Sequence, residues 1–70
     1  MSGRKAIKIL CNRFGFRVVR QRGSHVVLRK DRAAGAVGTV VPDHPEVSVH
    51  TLRNALRLAG VDEGEFAKWQ

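Results

Sequence analysis

Apolar residues between positions 6 and 14 recur at helical spacing. Ala6, Ile7, Leu10, Cys11 and Phe14 fall on one stripe of a helix that Ser2 can cap and Gly15 can stop. The period then changes. "FRVVRQR" (16–22) is β-branched and alternating, with Phe16 and Val18 on one face and Arg17, Val19 and Gln21 on the other. Gly23-Ser24 is a turn signal, and "HVVLRK" (25–30) reads as the returning strand of a hairpin. "DRAAGA" is a loop, and "VGTVV" is a third strand ended by Pro42. "PDHPE" is irregular, because two prolines restrict both themselves and the residues before them.

Helical spacing returns after Ser48, a second capping residue. In "VHTLRNALRLA" the predicted inward positions are Val49, Leu52, Ala55, Leu56 and Ala59, and Gly60 is the stop. Asp62 and Glu65 then have capping-box spacing, and Phe66 and Trp69 share a face of a short final helix. The expected architecture is α+β, in the order α-β-β-β-α with a short C-terminal helix, as a single domain over residues 1–70. Three antiparallel strands bury one face under the two long helices. The opposite face and the hairpin turn are left open to a ligand.

Size narrows what such a domain can do. A chain of 70 residues buries only about 60% of the surface its unfolded form exposes, which is too little to enclose a deep cofactor pocket. Chemistry, if present, is expected on an open surface. Charge narrows it further. The chain carries a net +7, unevenly placed: ten cations against the single acid Asp31 before Ala33, three cations against five acids after it. Nine of the thirteen cations are arginine, whose fork of donors suits phosphate oxygens. This distribution points to a polyanion such as nucleic acid, or to a basic face that is merely solvated.

Cys11 is alone, which leaves no disulfide framework and no cysteine-based metal site; its spacing makes it a core thiol. No apolar stretch is long enough to span a membrane and no secretory leader pattern is present, so the expected location is cytoplasmic.

The three histidines differ in setting. His25 opens a strand beside a turn, with Arg20, Arg22, Arg29 and Lys30 close in sequence as candidate contacts to substrate phosphates. An imidazole there can take a proton from a ribose 2′-hydroxyl or give one to a leaving oxygen, or it can be a polar residue at a strand mouth. His44 lies between two prolines and is either a second acid–base group or a loop residue holding backbone hydrogen bonds. His50 falls in the first turn of the second helix and reads as surface. Their spacing matches no zinc motif, so no metal is expected. No P-loop, nucleophile elbow or dinucleotide fingerprint occurs. The aromatic residues Phe14, Phe16, Phe66 and Trp69 all sit at core-like spacings rather than as a base-stacking strip.

"GFRVVRQRGSHVVLRK" followed by "VVPDHPEVSVHTLRNALRLAGVDEGEF" resembles the HicA (YcfA-like) toxins of bacterial and archaeal toxin–antitoxin systems. The resemblance runs from about residue 4 to residue 66 and is most specific at Gly23-Ser24-His25. It implies a fold similar to the double-stranded-RNA-binding domain, and an mRNA interferase that cleaves mRNA without a cofactor. His25 matches the family's catalytic histidine, Gly23 and Ser24 the turn that presents it, and His44 a histidine of supporting role. The implied partner is a HicB-type antitoxin that masks the RNA face. Two positions depart from the family pattern: His50 stands where glycine is usual, and Val27 where an aromatic is common.

The competing expectation is a double-stranded-RNA-binding module that cuts nothing. Such modules dock the start of the second helix on phosphates through a lysine cluster. Here "SVHTLRN" offers only Arg53, and the positive charge lies on the first helix and hairpin instead. A third expectation is that the open sheet face serves only as a protein interface.

Overall fold

Serine side chains begin both long helices. In the computed structural model, which describes residues 1–70, Ser2 Oγ accepts from Lys5 N at 3.1 Å and opens α1 (Gly3–Phe14). Ser48 Oγ accepts from Thr51 N at 3.1 Å and opens α2 (Val49–Ala59). Each bond satisfies one of the amides that a helix start leaves without a partner. Gly15 and Gly60 then end the two helices at φ of 78° and 69°, which a side-chain-bearing residue adopts only with strain. Asp62 caps the short α3 (Glu63–Ala67) by accepting from Glu65 N at 3.0 Å.

Between α1 and α2 run β1 (Arg17–Arg22), β2 (His25–Lys30) and β3 (Val37–Pro42), an antiparallel sheet in the order β1-β2-β3. The predicted α+β order is therefore present, with α1 and α2 packed on one sheet face. Val26 and Leu28 of β2 and Thr39 and Val41 of β3 point toward the helices and are buried. Leu10 of α1, Leu56 of α2 and Phe66 of α3 meet them from the other side. Burying one such side chain contributes about 1.5–3 kcal/mol, and only fourteen residues are buried, so each matters to a small domain. The one buried polar side chain, Thr39, is satisfied: its hydroxyl donates to Ala55 O at 2.7 Å and fixes α2 on β3.

Three expectations are corrected. Ile9 is buried although it lies off the predicted stripe of α1, because it joins the same hydrophobic core as Ala6 and Leu10. Val49, assigned inward, is 62% exposed: it is the first residue of α2, whose buried positions begin at Ala55. Trp69 is 45% exposed and not a core residue, while Phe66 beneath it is buried and stacks on Phe14 with ring centroids 6.2 Å apart. No helix is long and apolar enough to cross a membrane.

The fourth correction bears on function. β1 does not alternate regularly. Arg22 pairs with His25, Gln21 with Val26 and Arg20 with Val27, but the next pair is Val18 with Leu28, then Arg17 with Arg29. Val19 is an extra residue, a β-bulge. Residues directly opposite in an antiparallel ladder share a face. Pairing next to the turn puts Gln21 on the helix side and Arg20 and Arg22 on the open face, and the bulge brings Arg17 to the open face with them. In an unbulged hairpin Arg17 would oppose Lys30 on the helix side, where a charge is costly to bury.

Candidate functional site

The link between β1 and β2 is two residues long. Arg22 and His25 close it, Gly23 takes a φ of 55°, and Ser24 stays at negative φ, the type II′ pattern that suits strand twist. Gln21 Nε2 donates to Gly23 O at 3.0 Å and stiffens the turn from within.

A second set of contacts holds the turn from outside. Asp43 N donates to Ser24 O at 2.6 Å, and His44 Nε2 shares a 3.1 Å hydrogen bond with Ser24 Oγ. The loop supplying both is itself tied down, because Gly3 N donates to His44 O at 2.8 Å. Only glycine fits at position 3: a Cβ there would lie 1.8 Å from Pro42 O. Thus the first residue of α1, the Pro42–His44 segment and the hairpin turn form one connected unit. His44 has found a partner in that unit, so its side chain helps hold the turn.

His25 sits on this pinned turn with an exposed side chain that makes no hydrogen bond within the chain. Alternation along β2 puts His25, Val27 and Arg29 on the open face, and the ladders add Arg22, Arg20 and Arg17 on one side, Pro42, Val40 and Gly38 on the other. The result is a shallow surface with an apolar middle and a basic flank.

That basic flank is not uniform. Arg17 Nη1 and Arg29 Nε donate to the two oxygens of Asp31 at 2.8 and 3.0 Å. These bonds, the one from Arg17 first, hold the Asp31 carboxyl below its usual range. Arg20 and Arg22, nearest His25, form no ion pair. Partial burial pushes the Cys11 thiol up, away from the reactive thiolate form.

Of the residues expected at the site, the structure gathers Gly23, Ser24, His25, Arg20, Arg22 and Arg29, with His44 against Ser24. It does not bring Lys30 to them. Lys30 points to the helix side, where its stem lies along Gly15 and its ammonium is 5.9 Å from the Phe16 ring centroid. The strand period of two makes that placement unavoidable once His25 faces outward. Arg17, not named among the candidate contacts, stands on the same face as Arg20 and Arg22, because the bulge between them depends on cross-strand pairing. No three His, Cys, Asp or Glu side chains cluster in a way that could hold a metal ion.

Comparison with known proteins adds one finding. No curated protein and no solved structure matches the chain significantly. A family model described as HicA toxin of bacterial toxin-antitoxin matches residues 3–61, which span α1, the whole sheet with its Gly23-Ser24-His25 turn, and α2. The chain belongs to the HicA toxin family, the toxin side of bacterial toxin–antitoxin systems whose other half is an antitoxin.

Proposed function

We propose that the chain is an endoribonuclease toxin that cleaves mRNA with His25 and is held in check by a HicB-type antitoxin covering the open sheet face. The observation that carries this reading is an exposed imidazole without an intramolecular partner, on a turn pinned from two sides, next to two arginines free of carboxylates. Substrate phosphates sit on Arg20 and Arg22, with Arg17 and Arg29 further along the strand.

In the reaction His25 takes the proton of a ribose 2′-hydroxyl. The 2′-oxygen attacks the adjacent phosphorus, the bond to the 5′-oxygen breaks, and that oxygen is protonated. The products are a 2′,3′-cyclic phosphate and a 5′-hydroxyl. The second proton comes from the imidazolium just formed, or from water, Ser24 or His44. Arg20 and Arg22 stabilise the charge that builds on the phosphoryl oxygens. No step calls on a metal or a cofactor.

His25→Ala tests this directly. General acid–base catalysis contributes about 10²–10⁴-fold, so cleavage of mRNA in EDTA should fall by at least that factor. Circular dichroism should remain normal, because the side chain is exposed and unbonded. An alanine variant that cuts as well as the parent removes His25 from the mechanism. A parent chain that binds RNA but never cuts it is a binding module instead.

A further inference from the structure

α1 carries four exposed cations, Arg4, Lys5, Lys8 and Arg13, and no acidic residue. Lys5, Lys8 and Arg13 form no ion pair. Together with Ile9, Asn12 and Trp69 they line a groove of about 230 Å³ on the side of α1 turned away from the sheet. Trp69 reaches it from the end of α3, anchored through Phe66, whose carbonyl accepts from Trp69 N at 3.1 Å. The Arg13 guanidinium lies over the indole, 4.1 Å from the ring centroid. Trp69 lies beyond residues 3–61, which match the family model, and the other five lining residues lie within them.

An exposed aromatic face flanked by unpaired cations has the two elements that single-stranded nucleic acid requires: a platform for a base, and charges for its backbone. We propose that this groove is a second RNA-binding site, taking a single-stranded segment with one base stacked on the Trp69–Arg13 pair and phosphates at Lys5 and Lys8. Only two of its six lining residues are apolar, too few for the desolvated centre of a protein interface. In a duplex the bases are already stacked on one another and cannot reach the indole. The site needs no contribution from His25 and lies on the opposite side of the sheet from it. The choice of RNA over DNA rests on the mRNA reading above; the stacking and charge argument does not.

Trp69 is the only tryptophan, so its fluorescence reports on the groove alone. The experiment titrates a short 2′-O-methyl RNA strand, which cannot be cleaved, into the full-length His25→Ala chain. Saturable quenching is expected. The Trp69 variants lack this reporter, so their affinity is read from the anisotropy of an end-labelled strand, on chains that also carry Arg20→Ala and Arg22→Ala. Trp69→Ala should then bind roughly 5- to 150-fold more weakly, and Trp69→Phe should largely retain binding. Lys5→Gln and Lys8→Gln should each flatten the slope of log affinity against log salt by about 0.7. Unchanged fluorescence at saturating RNA, or equal affinity in Trp69→Ala, overturns the proposal. So does a loss confined to antitoxin binding, which would make the groove a protein contact. A DNA strand bound more tightly than RNA overturns the substrate class. Because binding is read with uncleavable RNA, a parent chain that fails to cut mRNA sinks the endoribonuclease reading and leaves this one standing.

Discussion

At one end of the open sheet face Arg17 and Arg29 share the carboxylate of Asp31; at the other, Arg20 and Arg22 stand beside His25 with no acid in reach. The residue type is the same and the exposure similar, yet the electrostatic state is opposite. Exposed ion pairs such as those of Asp31 contribute little to stability. Their effect is on the field: they quiet the arginines far from the turn and leave unneutralised charge next to the imidazole. A phosphate approaching this face meets its unpaired donors beside the His25 imidazole.

The largest test of that difference compares two double variants. Arg20→Ala with Arg22→Ala should weaken RNA binding by about 10- to 100-fold per residue, since hydrogen bonds to charged groups are worth about 1.5–3 kcal/mol. Arg17→Ala with Arg29→Ala should cost distinctly less, because RNA must first draw those side chains away from Asp31. Fluorescence anisotropy at one salt concentration measures both, and equal losses would erase the contrast. Next in size is Gly3→Ala. The new methyl group collides with Pro42 O, and overpacking of this kind costs about 1–3 kcal/mol. Thermal melting should show the loss, and amide exchange should quicken at Asp43 while the bonds to Asp31 persist.

A smaller effect is expected from His44→Ala, which removes the bond to Ser24 Oγ, worth about 0.5–1.5 kcal/mol. Cleavage should drop by about tenfold or less, far short of the loss in His25→Ala, and His44→Gln should restore part of it. The smallest is Asp31→Asn, and it runs the other way: freed Arg17 and Arg29 should tighten RNA binding a few-fold and steepen its salt dependence. The sign with pH follows from the lowered carboxyl. Its contribution to stability is present above the unfolded range near ~3.9 and is lost as pH falls through the lower folded value. The stabilities of the parent and Asp31→Asn should therefore differ by a constant amount above about pH 4 and converge below it.

Local signals in the sequence carried much of the fold. Ser2, Ser48 and Asp62 cap, Gly15 and Gly60 stop, and Gly23-Ser24 turns, each acting within a few residues of itself. What escaped depends on partners far along the chain. The bulge at Val19 is settled by β2, and it decides that Arg17, Arg20 and Arg22 share a face. Ile9 joins the core through tertiary packing, and Trp69 stays half open with the Arg13 guanidinium of α1 over its ring. At the site, the positions of Gly23, Ser24 and His25 were legible from the turn. Lys30 was misjudged because nearness in sequence outweighed strand parity, and the hold of His44 on Ser24 required the fold itself.

The bulged, arginine-bearing strand β1 has one further consequence. It pairs only with β2, so its other edge presents unpaired backbone groups, and Val18 and Val19 are 48% and 46% exposed. A free edge of this kind invites a second copy to add its own strand; an irregular kink and repeated positive charge are what discourage it. The arginines proposed to meet RNA would thus also keep the chain from sticking to itself. Variants that neutralise them should aggregate as well as lose RNA, whereas lysine at the same positions should keep the chain dispersed.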